Sequence, residues 1–162
     1  MENLHDKRKV YEKSQLLENQ IKENPIEQFR NWYLEAQEHP DVSEANAMSV
    51  STVENDGCPR TRMVLLKEYT WEGFVFYTNY ESAKGQDIAE NPNAEALFFW
   101  HKLERQIRIS GNIAKIDATK SAAYFQKRPH DSQVGAWVSQ PQSGEVANRE
   151  VMEQTFEQLQ ND

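Results

Sequence analysis

The stretch YFQKRPHDSQ (124–133) gathers a phenol, a guanidinium, an imidazole, a carboxylate and a hydroxyl on Tyr124, Arg128, His130, Asp131 and Ser132. His130, Asp131 and Ser132 hold the letters of a hydrolytic triad. A triad needs its base between nucleophile and orienter in space, and three successive residues point in different directions. The alternative is anion binding, in which arginine gives a bidentate grip, lysine a point charge, and Ser, Thr or Tyr a hydroxyl donor. Three further stretches carry the same donor types: RMVLLK (62–67), YTNYESAK (77–84) and ERQIR (104–108). No nucleophile or general base is assigned. His5, His39, His101 and His130 show no paired ligand spacing, so no metal is expected. Cys58 sits in a turn beside Pro59 with no nearby base, as a structural thiol would. The chain has neither a Walker loop nor a dinucleotide glycine fingerprint.

These donors need elements to hold them. In NPIEQFRNWYLEAQEH (24–39), Asn24 can cap a helix, Pro25 suits its first position and Glu27 suits a capping box. Ile26, Phe29, Trp32, Tyr33 and Ala36 form its apolar face. The period then becomes strand-like. AMSVSTVE (47–54) alternates, NDGCP (55–59) carries an Asp-Gly turn signal, and RTRMVLLKEY (60–69) returns. FVFYTN (74–79) reads as a strand and ESAKGQDIAEN (81–91) as a short helix. AEALFFWH (94–101) and RQIRISGNIAKI (105–116) read as a hairpin. Asp117 caps a helix that Pro129 ends, residues 132–143 are mixed, and 145–160 form another amphipathic helix. Short antiparallel strands edged by helices give an α+β protein around a small barrel. Residues 1–22 are strongly charged and expected to be helical but loosely attached, leaving 23–162 as the folded domain.

At 162 residues the chain suits one domain with a real core. No apolar run exceeds ALFFW (96–100), which excludes a membrane-spanning helix, and the first residues lack the apolar stretch of a secretory signal. One cysteine and no export signal make a cytoplasmic protein the plain expectation. A net charge of −8 argues against nucleic-acid binding. The charge is unevenly placed. Residues 60–128 carry 11 Lys and Arg against 8 Asp and Glu, whereas the remainder carries 7 against 18. That basic island is either ordinary scatter of surface charge or the seat of a small anionic ligand.

The series R-x-V-L-L-K, F-Y-T-N, S-x-K, W-H-x-L-E-R-Q and Y-F-x-x-R-P-x-D-S-Q-x-G-A-W closely resembles the pyridoxamine 5'-phosphate oxidase family over nearly the whole chain. The resemblance implies an antiparallel, Greek-key-like FMN-binding split β-barrel with peripheral helices, assembled as a homodimer with FMN at the interface. It implies oxidation of pyridoxine or pyridoxamine 5'-phosphate to pyridoxal 5'-phosphate, with O2 as acceptor and H2O2 as product. By the same resemblance Arg62, Met63, Val64, Leu65, Leu66 and Lys67 line the FMN, with Arg62 on its phosphate. Tyr77, Thr78 and Lys84 add contacts, as do Gln106 from the neighbouring subunit and Gln142 with Ser143. Lys67, Tyr124, Arg128 and Ser132 would hold the substrate phosphate, and Arg8 and Tyr11 belong to a segment that folds over the site.

Elementary geometry is compatible with these roles. Tyr124 and Arg128 are four apart, hence on one helix face, and Ser132 falls near the next helix start, where free amides favour anions. Arg62 and Lys67 have opposite strand parity, so a bulge or bend is required between them. The chain also departs from the family. Ala83 stands where an arginine is common, and SQPQS (139–143) carries an extra residue. The family's Trp-Gly-Gly and Arg-x-His-Asp-Arg segments have no counterpart before Asp162. The alternative expectation is therefore a flavin- or pyridoxal-phosphate-binding split barrel without oxidase activity.

Overall fold

The computed structural model describes residues 2–140 and 142–161, so Met1, Asp162 and Pro141 of the SQPQS stretch lie outside the described residues. Its elements run α1 (Pro25–Glu38), β1 (Ala47–Val53), β2 (Pro59–Leu65), β3 (Glu68–Thr70), β4 (Gly73–Val75) and α2 (Ala83–Glu90). There follow β5 (Asn93–Trp100), a 3-10 turn (His101–Leu103), β6 (Arg105–Asn112), α3 (Ala118–Lys127), α4 (His130–Val138) and α5 (Arg149–Asn161). Four strands form one sheet in the order β2-β1-β5-β6, while β3 and β4 form a separate antiparallel pair with Tyr69 opposite Phe74.

Chain contacts divide into two compact units. The first comprises Met1–Ser49, Met63–Phe76 and Ala96–Ile109. Its α1 begins as the sequence predicts: the Asn24 side chain accepts the Ile26 N–H at 2.8 Å, and Pro25 occupies the first turn. Gln28, rather than Glu27, reaches back to a preceding amide, that of Lys22. Phe29 is the centre of the unit. Its ring meets Tyr69, Phe74 and Phe98 edge-on with centroids 4.8–5.2 Å apart, a geometry favoured by the ring quadrupoles. Trp100 joins the cluster and donates its indole N–H to Ala45 O at 3.0 Å.

The expected strand over 60–69 is divided. Leu66 donates its N–H to Asn46 O, and the Asn46 amide donates back to Leu66 O, at 2.8 and 3.0 Å. That clasp removes Leu66 from the ladder, and the Lys67 N–H pairs with Val75 O instead. Strand parity therefore does not continue to Lys67. Residues 2–22 are not helical, contrary to expectation, and the amides of Glu12 and Lys13 go to a distant side chain instead of to a helix. Glu104 accepts the N–H groups of Glu12 and Lys13 at 2.9 and 3.0 Å and pairs with Lys9 at 2.9 Å.

The second unit comprises Val50–Arg62, Tyr77–Glu95 and Ser110–Asp162. Its turn between β1 and β2 uses Gly57 at φ 83°, with the Asp56 carboxylate accepting the Cys58 N–H. The strand expected over 74–79 stops at Val75. Within this unit Asn79 turns the chain: its side chain accepts the Glu81 N–H and its carbonyl accepts Ser82 N–H and Oγ. Tyr77 and Thr78 are consequently loop residues. The stretch expected to be mixed is instead α4, packed on α5, with Gln160 donating to Asp131 at 3.1 Å. Helix α5 starts at Arg149 rather than 145 because Asn148 accepts the Val151 N–H in the manner of a cap. Among the described residues no helix is long and apolar enough to cross a membrane.

Candidate functional site

In the second unit, Lys84 and Ser143, both singled out by sequence, meet at the start of α2. Ser82 caps this helix and is fully buried. Its hydroxyl donates to Asn79 O at 2.7 Å and accepts the Gly85 N–H and Lys84 Nζ, each at 3.3 Å. One donor and two lone pairs are thereby all used. A side chain at Gly85 would run into the Tyr80 carbonyl, so glycine is what lets the first turn of α2 close on this loop. Ser143, held in the left-handed region at φ 70°, reaches the same helix end and accepts the Ala83 N–H at 3.4 Å. The Lys84 ammonium is held below the ordinary lysine range, first by burial and second by the charge of Arg62. Lys84, at the positive end of the helix, is repelled by Arg62, and a bound phosphate would relieve that repulsion.

Arg62 is braced from behind. Its Nη1 donates to Thr52 Oγ1 at 2.7 Å, Arg60 O at 3.0 Å and Val50 O at 3.2 Å, and its Nη2 lies 3.6 Å from Asp87 Oδ2. Thr52, fully buried, donates to the same Asp87 oxygen at 2.6 Å. Among the described residues the Arg62 Nε has no hydrogen-bond partner, and the side chain keeps 21% of its exposure.

The opening stretch of the sequence is also in this unit. Tyr124 stacks flat on Tyr77, with ring centroids 3.6 Å apart and planes 6° from parallel. Arg128 is not a helical residue: α3 ends at Lys127, and Arg128 is its extended C-cap, with the guanidinium 5.7 Å from the Phe125 ring centroid. The expectation that Tyr124 and Arg128 share a helix face is corrected accordingly, because Pro129 forces the preceding residue out of the helical region. Ser132 lies in the first turn of α4, at the helix start where the sequence places it. His130 and Asp131 are about 70% exposed and 3.9 Å apart, which fits the exclusion of a triad. Gln142 is exposed. No group of three potential metal ligands occurs among the described residues.

The first unit holds the other expected positions. Met63, Val64 and Leu65 lie on β2, Leu66 is buried, and Lys67 presents an exposed side chain just beyond the strand. Gln106 on β6 is exposed. Arg8 and Tyr11 are exposed on either side of the Lys9 that Glu104 holds. The Glu104 carboxyl is kept below the usual glutamate range by the Lys9 hydrogen bond first and by the Lys13 amide next.

A family model described as pyridoxamine 5'-phosphate oxidase matches residues 34–161. The chain belongs to this family. A pyridoxine/pyridoxamine 5'-phosphate oxidase of Psychrobacter arcticus is 70% identical over 157 residues, covering 97% of this chain and 72% of the relative. One from Flavobacterium psychrophilum is 49% identical over 161 residues, covering 99% and 75%. Among solved structures, PhzG from Burkholderia lata superposes with a TM-score of 0.81 at 24% identity, covering 87% of this chain and 69% of that one. A pyridoxamine 5'-phosphate oxidase-related FMN-binding protein from Nostoc punctiforme gives 0.62 at 18%, covering 82% and 73%. These likenesses establish the α+β split-barrel fold.

Four residues that matter to this geometry escaped sequence reasoning: Asn46, Thr52, Asp87 and Glu104. Thr52 had left a signal. It follows Met48 and Val50 at inward-facing positions of β1, where a polar side chain demands a buried partner.

Proposed function

We propose that the chain binds FMN and oxidises pyridoxine or pyridoxamine 5'-phosphate to pyridoxal 5'-phosphate, with O2 as acceptor and H2O2 as product. The alcohol substrate loses two hydrogens. The amine substrate also takes up water and releases ammonia. The observation that carries this reading is the pair of cations in the second unit, Arg62 and Lys84, with Lys84 at the start of α2. Their chemistry fits a phosphate monoester.

On this reading Arg62 and Lys84 hold the FMN phosphate, with Ser143 and Gln142 beside the α2 start. Tyr77 and Thr78 add contacts, and residues 62–67 and Gln106 line the ring by family resemblance. When bound, FMN supplies the hydride acceptor. The protein's part is to orient the substrate and hold its charge. Arg128 gives a guanidinium grip on the substrate phosphate, Tyr124 and Ser132 give hydroxyl donors, and Lys67 joins them by resemblance. Residues 1–22, including Arg8 and Tyr11, act as a cover. A homodimer with flavin at its interface, which rests on the resemblance, and a cytoplasmic location complete the reading.

The test is reconstitution with FMN followed by anaerobic addition of pyridoxine 5'-phosphate. The bound flavin should lose its visible absorption, and air should restore it with one H2O2 per turnover. Flavin that binds but stays yellow would leave a binding protein without oxidase activity. A chain that acquires no flavin band would overturn both possibilities.

A further inference from the structure

We propose that Thr52 and Asp87 are positioning residues that fix the guanidinium of Arg62 for the flavin phosphate. The inference rests on the proposed role of Arg62. Its geometry lies wholly within the second unit.

The hydrogen-bond chain has only one possible direction. A carboxylate accepts and a guanidinium donates, so the single Thr52 proton must go to Asp87 and the Thr52 oxygen must accept from Arg62. The distances, 2.6 and 2.7 Å, are those of charge-assisted bonds. Thr52 is fully buried and Asp87 is 6% exposed, so neither can exchange its partner for water. Two backbone carbonyls, Val50 O and Arg60 O, hold the same Nη1. Nη1 is thus saturated from behind and Nη2 faces Asp87, while Nε has no hydrogen-bond partner among the described residues.

Helix stability does not explain the acid. Asp87 sits in the second half of α2, where a negative charge opposes the helix dipole. Its burial is intelligible as a counter-charge and orienter for Arg62. A site held by groups that are themselves fixed loses no ordering free energy when ligand arrives.

The experiment compares the affinity of the chain for FMN and for riboflavin, which lacks the phosphate, by flavin fluorescence quenching. Wild type should prefer FMN. Thr52→Val, which replaces the hydroxyl with a methyl, should cut FMN affinity roughly tenfold with little change in riboflavin affinity. Thr52→Ser should restore the preference. Asp87→Asn removes a negative charge and on charge alone would tighten FMN, so positioning requires the opposite, a weaker preference. If Asp87→Asn does not fold, the Thr52 pair decides alone.

An unchanged preference in Thr52→Val, or equal losses for both flavins, would overturn the inference and leave the phosphate site standing. Tighter FMN binding in Asp87→Asn would do the same. A wild-type chain that binds FMN no better than riboflavin would instead overturn the phosphate role of Arg62.

Discussion

In the first unit the buried side chains are apolar: Phe29, Ala36, Ala45, Met48, Leu66, Phe98 and Trp100. In the second unit Val50 and Val134 are buried together with Thr52, Ser82 and Asp87, which are all the buried polar residues among those described. Apolar burial is non-directional and tolerates many partners. Polar burial is costly unless each group finds a specific partner, and here every one does. One unit is therefore organised by ring packing, and the other by a directed hydrogen-bond chain that ends on cations. The contrast separates ring packing from the contacts that fix the Arg62 guanidinium.

The largest effect should come from the ring cluster. Phe29→Ala removes the side chain at its centre and should cost about 3–5 kcal/mol in chemical denaturation. A cost below about 1 kcal/mol would show that the rings repack freely and that the contrast is overstated. Arg62→Ala should come next. It strands the Asp87 carboxylate without its cation, for a loss of about 1–3 kcal/mol, and it should erase any preference for FMN over riboflavin. An Arg62→Ala chain as stable as wild type would mean the directed chain carries no structural weight.

Lys84 gives a smaller, pH-dependent effect. Its folded pKa lies below its unfolded value, so the unfolded chain binds more protons in the window between them. Stability should therefore rise as pH climbs through that window toward the ordinary lysine value. FMN should reverse the trend, because an anion favours the ammonium: affinity should fall as pH rises through the same window. A flat affinity profile in flavin titrations would detach Lys84 from the phosphate.

The smallest effect belongs to a directed polar contact of the first unit, that of Glu104 with residues 12 and 13. Glu104→Gln should speed amide exchange at residues 12 and 13 with little change in global stability. Because the Glu104 carboxyl is depressed, its hold on the segment should be present above the ordinary glutamate value. It should be lost as pH falls through the folded value. Exchange at those amides that ignores both the substitution and acid would remove Glu104 as the anchor.

The same contrast explains what was legible in the sequence. Local rules sufficed for α1, with Asn24 and Pro25 at its start, for the β1 alternation and for the Asp56-Gly57 turn. The donors proposed to bind an anion were also visible as residue types, and the motif series carried the family. The directed contacts were not visible. Thr52 and Asp87 are 35 residues apart, and Glu104 is 92 from the Glu12 amide it holds. No periodicity links such positions. Helix α4 was hidden for a local reason: its cap is Pro129, which offers no side-chain acceptor. The division of the strand at Leu66 depends on Asn46, an isolated polar residue whose partner could not be named in advance.

The central claim is that the cations of the second unit hold the phosphate of FMN. It is tested most directly by the 31P resonance of FMN bound to the chain, followed between about pH 5 and pH 8, across the phosphate's own second ionisation near pH ~6. Arg62 and Lys84 should keep the bound phosphate dianionic throughout, so its resonance should not move while that of free FMN titrates. A bound resonance that titrates like free FMN would contradict the claim.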